Sequence, residues 1–287
     1  MKQDSTSTRH SRRLRPESTW WVHTLLVVAC VTSIFPLWRV FTVALRPGDK
    51  IFSTSFELIP SDATLENFAM IFTDTNFFVW ILNSTIITLT SAIISVSLAA
   101  TAAYALSRYK FPLRGGFFVF LMVTQMMPAV MLLLPLFFML KYLSLLDTYA
   151  GVVVVYLMTT LPFCIWLLKG YFDTIPRSLE QAAQVDGLTE IGAFWRVVLP
   201  LSTPALAIAA LFSITQVWNE YIVARTIIES SELYTWPLGI FELQGEYDTK
   251  WGMFAAASTL VTLPVTAVFL YSSRWLLSGL TVGSVKG

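Results

Sequence analysis

The sequence predicts an all-α integral membrane protein with six transmembrane helices. Of 287 residues, 55% are hydrophobic and only 13% are charged, too few to cover a solvated surface. Mean hydropathy is +0.66. The apolar residues gather in long runs, each able to cross a bilayer core as a helix. A net charge of +1 gives no pull toward nucleic acid. Cys30 and Cys164 both fall in apolar runs and read as small buried hydrophobes rather than a disulfide.

Residues 1–19 are polar, carry five basic side chains and have no apolar core, so they read as a cytoplasmic tail. The run over 20–45 is too long for a signal peptide and lacks a small-residue cleavage site. It reads as the first span, kinked at Pro36, with Trp20, Trp21 and Trp38 near the interfaces and Arg39 snorkelling outward. Residues 46–76 form an external loop holding a short capped surface helix over 61–68. The second span, 77–106, is rich in Ser, Thr and Ala, which let helix backbones approach closely in lipid. A short basic turn follows. The third span covers 116–142; Pro128 and Pro135 bend it, and Gln125, Met126 and Met127 read as packing. The fourth covers 149–169. The fifth covers 202–228, then an acidic external loop fills 229–250. The sixth covers 251–277, and 278–287 form a short tail.

Basic residues orient the bundle. Alternating the sides along six spans puts thirteen Lys and Arg on the side of both termini and four on the other. The positive-inside rule therefore places the termini, and the loop between spans four and five, in the cytoplasm.

That loop is the most informative stretch. Ser178 and Gln181 have the spacing of a capping box. Leu179, Ala182, Ala183 and Asp186 share one narrow helical face. Gly187 reads as a left-handed stop. Thr189 then caps a second short helix, with Ile191, Phe194, Trp195 and Val198 as its apolar side and Pro200 as its end. Two short helices joined at a glycine corner, on a membrane protein, read as a docking element.

The series Gln181-Ala182-Ala183, three residues, Gly187, nine residues, Val197, one residue, Leu199-Pro200 resembles the EAA loop of ABC importer permeases. Gln181 stands where that family has Glu, and Val197 where it has Ile. Gln keeps the length but loses a charge. Lys169-Gly170-Tyr171-Phe172, Trp218-Asn219-Glu220 and the ending from Gly279 to Gly287 are similar to the sugar-importing branch, more narrowly to the shorter permease subunit of maltose-type importers. The resemblance covers roughly residues 20–287. It implies the ABC type I importer permease fold, with a core over 77–277 and a cytoplasmic coupling helix in the loop 171–200. Glu180, Gln181, Ala182, Ala183, Asp186, Gly187, Leu199 and Pro200 would meet the ATPase. It also implies the partners: a homologous second permease, two ATPase subunits that use ATP and Mg, and a periplasmic or lipid-anchored sugar-binding protein, all within membrane lipid. The cargo would be maltose or maltodextrin, trehalose or a related oligosaccharide. The tail would reach between the ATPases.

The sequence contains no Gly-x-x-x-x-Gly-Lys-Ser/Thr loop, so ATP hydrolysis is expected elsewhere. With histidines only at His10 and His23, neither a metal cluster nor a Ser-His-Asp set is expected, and the chain reads as no enzyme. Polar groups inside spans are costly and mark pathways. Glu220, with Gln216, Asn219, Trp218 and Tyr221, reads either as the wall of a wet sugar cavity or as hydrogen bonding to the second permease. Gln244, Gly245 and Glu246 read either as a finger into the binding protein or as a solvated turn. A secondary transporter would want paired halves and an ion site, and the spans offer one carboxylate and no repeat.

Overall fold

The structure is a computed structural model and describes residues 20–47, 58–245 and 249–282. The predicted tail over 1–19, Glu246 and the last five residues lie outside the described residues. The described chain is a bundle of helices: α1 (Trp20–Ala44), α2 (Glu66–Asp74), α3 (Phe77–Arg108), α4 (Arg114–Met126), α5 (Ala129–Tyr142), α6 (Tyr149–Thr174), α7 (Arg177–Val185), α8 (Glu190–Ala193), α9 (Leu199–Leu201), α10 (Thr203–Trp218), α11 (Ile222–Ile227), α12 (Trp236–Phe241) and α13 (Trp251–Val282). Four of these, α1, α3, α6 and α13, are long and apolar enough to cross a membrane, and the count reaches six if each bent pair forms one span.

Helix α3 is the central element. It packs along α6 and α10, and α10 closes the group against α13. Small residues make this possible: Ala99, Ala100 and Ala103 of α3 meet Cys164 and Leu168 of α6 and Ala205 and Ala209 of α10. Ser95 and Thr160 hydrogen-bond across that seam at 3.0 Å. Such a bond inside lipid contributes roughly 0.6 kcal/mol, so close backbone approach holds the seam more than polarity does. Cys164 is buried as expected, whereas Cys30 lies exposed on α1. Helix α1 packs along α13, meets α2 through Phe41 and Phe68, and leaves most of its apolar surface outward.

Four elements differ from the sequence reading. The surface helix runs over Glu66–Asp74 instead of 61–68. The Thr64 amide donates to the Leu45 carbonyl at 2.7 Å, which ties 61–65 into turns. Asn67 then donates to the Ala44 and Arg46 carbonyls, closing the open end of α1. The third span is two helices, α4 and α5, meeting at 106° across Met127-Pro128. Pro128 has no amide to continue α4 and holds Met127 extended. The fifth span breaks after Trp218, and α11 resumes three residues on. The predicted tail from Ser278 is helical to Val282, as the end of α13.

The acidic segment 229–250 is built, not merely solvated. Helix α12 buries Leu238, Gly239 and Ile240. Asn83, buried in α3, donates to the Glu232 and Tyr234 carbonyls and accepts from the Tyr149 hydroxyl. The Trp236 amide donates to Ser84 Oγ at 2.7 Å. Between α5 and α6, Asp147 adopts φ 54°, a left-handed conformation that Asp tolerates. Its carboxylate accepts from the Glu229 and Ser230 amides and the Ser230 hydroxyl. These bonds, the Ser230 hydroxyl first and its amide next, hold the Asp147 carboxyl below the usual range. A depressed carboxylate stabilises above its ordinary pKa and loses that contribution as pH falls through the depressed value. Hydrogen exchange at the Glu229 and Ser230 amides is therefore expected to show no opening at the ordinary carboxylate value of about 4, and to show it only below. Opening near that value would contradict the clamp.

Candidate coupling site

Helices α7 and α8 stand at the end of the bundle where α3 finishes. Pro176 precedes α7 in an extended conformation and leaves no side-chain cap. The expected capping box of Ser178 and Gln181 does not form, because the helix starts at Arg177 and both residues are already inside it. A Schellman corner ends α7: the Leu188 amide donates to the Ala183 carbonyl and the Gly187 amide to the Gln184 carbonyl, both at 3.0 Å. Gly187 has φ +92°. A side chain there would meet nothing within 4 Å, so substitution strains the backbone alone, by about 1–3 kcal/mol for a β-branched residue. Thr189 caps α8 as expected, its Oγ1 accepting from the Gly192 amide.

Pro200 does not end this segment. The helix continues to Leu201 through a π turn over Phe194–Val198. Proline lacks the donor for the bond to residue 196 and crowds its carbonyl, and the wider turn accommodates both. The chain then bends by 76° at Ser202 into α10. The docking segment is thus continuous with the fifth span.

The faces divide differently from the periodicity reading. Glu180 and Ala183 are buried, while Leu179, Gln181, Ala182, Val185 and Asp186 are exposed. In the second helix Phe194 and Val198 are buried beside Phe172 and Ile175, and Ile191 and Trp195 point outward. Leu199 is half-buried and Pro200 exposed.

Burial of Glu180 follows from its partners. Arg108 Nε, on the last residue of α3, donates to its Oε1 at 2.6 Å, with side-chain exposures of 9% and 8%. The Tyr104 hydroxyl donates to Oε2 at 2.7 Å. Arg108 also donates to Ser107 Oγ and the Ile175 carbonyl. Arg177 returns the tie by donating to the Ser107 and Arg108 carbonyls, which the end of α3 leaves unpaired. Ser107 donates to Asp173, which Lys169 also pairs. The Tyr109 hydroxyl donates to Glu190, and that bond pushes the phenol pKa up. Around these groups lies a polar recess of about 200 Å³ lined by Tyr104, Arg108, Tyr109, Glu180, Gln181 and Glu190. Sequence reasoning used Arg108 only as a charge for orientation and missed it, Tyr104 and Tyr109 as anchors. An Arg closing a long apolar helix beside an acidic docking helix was the available signal.

The intramembrane polar residues separate. Glu220 sits in the break between α10 and α11 and caps α11: its carboxylate accepts from the Val223 and Ala224 amides and from the Tyr156 hydroxyl. Asn219 is exposed and donates to the Thr215 carbonyl. Gln216 is exposed and Tyr221 half-buried, with Tyr221 against Phe241. Trp218 is buried near Trp236 and borders a hollow of about 260 Å³ with Thr85, Thr88, Ile214 and Pro264. Gln244 pairs with Thr249 in a single antiparallel bridge, and Gly245 beside it is exposed. Asn83 was missed, although the rule that selected Glu220 selects it too.

Comparison with known proteins places this geometry. The family model of the binding-protein-dependent transport system inner membrane component matches residues 95–281. The chain is 33% identical to the diacetylchitobiose uptake system permease protein DasC of Streptomyces coelicolor, over 93% of this chain and 97% of that protein. It is 36% identical to the maltose/maltodextrin transport system permease protein MalG of Vibrio parahaemolyticus, over 93% and 96%. It is 30% identical to the arabinooligosaccharides transport system permease protein AraQ of Halalkalibacterium halodurans, over 96% and 99%. In fold it is similar to a chain of a bacterial ABC transporter involved in the import of the acidic polysaccharide alginate, with TM-score 0.78 at 23% identity, covering 88% of this chain and 94% of that one. The chain belongs to the binding-protein-dependent transport system inner membrane components and is the permease subunit of an ABC sugar importer.

Proposed function

We propose that this subunit couples closure of separate ATPase subunits to alternating access for an oligosaccharide. The observation that carries the reading is the α7–Gly187–α8 corner. It presents Gln181, Ala182 and Val185 outward while Glu180 locks it to the end of α3. Such a corner moves as a body when a partner pushes on it. Its placement in the cytoplasm rests on the basic residues clustered at that end, including Arg108, Arg114, Lys169 and Arg177. ATP and Mg belong to the ATPases, and this chain binds neither. A homologous second permease and a sugar-binding protein outside the membrane complete the machine. The named relatives handle diacetylchitobiose, maltodextrin and arabinooligosaccharides, which supports a short oligosaccharide as cargo. Gln216 and Asn219, exposed beside the break in the fifth span, are the groups offered to sugar hydroxyls. Trp218 and Tyr221 form the wall behind them, and Glu220 holds the break open by capping α11. Gln244, Gly245 and Glu246 face the binding protein.

The test is uptake of a labelled maltodextrin into proteoliposomes holding both permeases, with and without the ATPase and binding protein. Uptake is expected only with all components and ATP. Uptake by the permeases alone on a proton gradient would refute the proposal.

A further inference from the structure

We propose that Arg108 and Asn83 are positioning residues that make α3 the link between the docking segment and the external segment 229–241. The inference rests on the docking reading above. Helix α3 is unbroken for 32 residues, about 48 Å at 1.5 Å per residue. Proline is absent from it, whereas α1, α5, α6 and α13 each hold one inside. Each end carries a polar grip on a different element. At the Arg108 end the guanidinium grips Glu180 of α7 and the Ile175 carbonyl just before it, and Arg177 grips back on the last carbonyls of α3. At the Phe77 end, Asn83 and Ser84 hold three backbone groups of the segment 232–236.

Both grips are made of charge-assisted or fully paired buried bonds, which are costly to leave unmade inside a protein. Asn83 uses its amide nitrogen twice and its oxygen once. Either grip therefore travels with α3 more readily than it lets go. Two of the other routes are jointed: α4 and α5 meet at 106°, and the docking segment meets α10 at 76° before the chain breaks again after Trp218. Helix α6 also leads to α7, but it holds Pro162 inside and reaches the segment through the turn at Asp147. A push at α7 reaches the external segment through α3 without crossing a joint. The segment it reaches holds Gly239 against Trp80 and Trp236 against Trp218, so its movement reopens or seals the hollow beside Trp218.

The test uses the complete transporter in lipid nanodiscs, with the permease lacking Cys30 and Cys164 and spin labels on Lys110→Cys and Glu232→Cys, both exposed positions. Label mobility is compared between the nucleotide-free state and the state trapped with ATP and vanadate. In the otherwise unsubstituted complex both labels are expected to respond. With Arg108→Gln neither responds. With Asn83→Ala the Lys110 label responds and the Glu232 label does not, a split that general loss of stability would not produce. The ratio of stimulated to unstimulated ATP hydrolysis falls at least about 5-fold in both, the lower range of allosteric coupling. A Glu232 label that still responds with Arg108→Gln, or a Lys110 label silenced by Asn83→Ala, overturns the proposal. If Arg108→Gln is missing from the membrane, Arg108→Lys replaces it and is expected to weaken the Glu232 response; a full response overturns the link. An unsubstituted complex that holds no ATPase overturns the docking reading itself, a result distinct from these.

Discussion

Replacing Glu180 with Ala is expected to release the ATPase from the complex while the permease stays in the membrane. Arg108 would keep its position at the end of α3, since Ser107 and the Ile175 carbonyl still hold it, but it would be buried without its carboxylate. Removing one member of a buried ion pair costs about 3–5 kcal/mol, because the remaining charge is uncompensated. The Tyr104 hydroxyl loses its acceptor as well. The spans do not depend on this pair: their seam is built from alanines and buried aliphatic groups. The cheapest response is for α7 to swing away and hydrate Arg108, which misaims Gln181 and Ala182. The check is recovery of ATPase on an affinity tag carried by the permease, alongside permease abundance. Glu180→Gln keeps the shape and a bond from Arg108, so its loss is expected to be smaller. Undiminished ATPase recovery with Glu180→Ala would show that the anchor is not what aims the docking helix.

Gly239→Val is expected to unseat α12 and with it the segment 229–241. A Cβ at this position would stand 2.0 Å from Trp80 Cδ2, with the next two ring atoms at 2.3 and 2.4 Å. Trp80 has no room to yield: it is buried in the cluster of Phe77, Ile71, Ile240 and Met253, with the Phe77 ring edge-on at 6.4 Å. Overpacking a filled core costs typically 1–3 kcal/mol, sometimes more, with two extra methyl groups adding to the Cβ contact. The segment 229–241 is the side that yields, since α3 packs along its length against α6 and α10 and the shorter α12 is held by fewer neighbours. Protease added from outside should then cut within 229–245, while the parent is resistant there, and binding-protein stimulation of hydrolysis should vanish. Gly239→Ala makes the same first contact and should show the milder form. Resistance equal to the parent in both variants would mean that α12 does not sit on Trp80.

What was legible in the sequence follows what governs each feature. The spans were legible because lipid demands long apolar helices, and only helices satisfy their own backbone there. The corner at Gly187 and the cap at Thr189 were legible because each depends on local backbone chemistry, and both form. The sense of α7's faces was not. Periodicity put Leu179, Ala182, Ala183 and Asp186 on one side, but the face that turns inward is chosen by Arg108, seventy-two residues earlier in the chain. A buried carboxylate whose partner comes from another helix leaves no local signature. The same holds for Glu220: its cost in lipid was evident, whereas its use as the cap of α11 required knowing that the fifth span breaks after Trp218. The breaks themselves were half legible. Pro128 marked the first, while no proline marks the second.

The central claim, that the exposed side of α7 is the ATPase docking face, is tested most directly by cross-linking. A single cysteine is placed at Ala182 or Val185, both exposed, in a background lacking Cys30 and Cys164, and a short bifunctional thiol–amine reagent is applied to the assembled complex. A permease–ATPase adduct is predicted from both positions, and none from a cysteine at Ala183, which is buried against the bundle. Adducts forming at Ala183 but not at Ala182 or Val185, or none at any of the three while ATP-driven uptake proceeds, would contradict it.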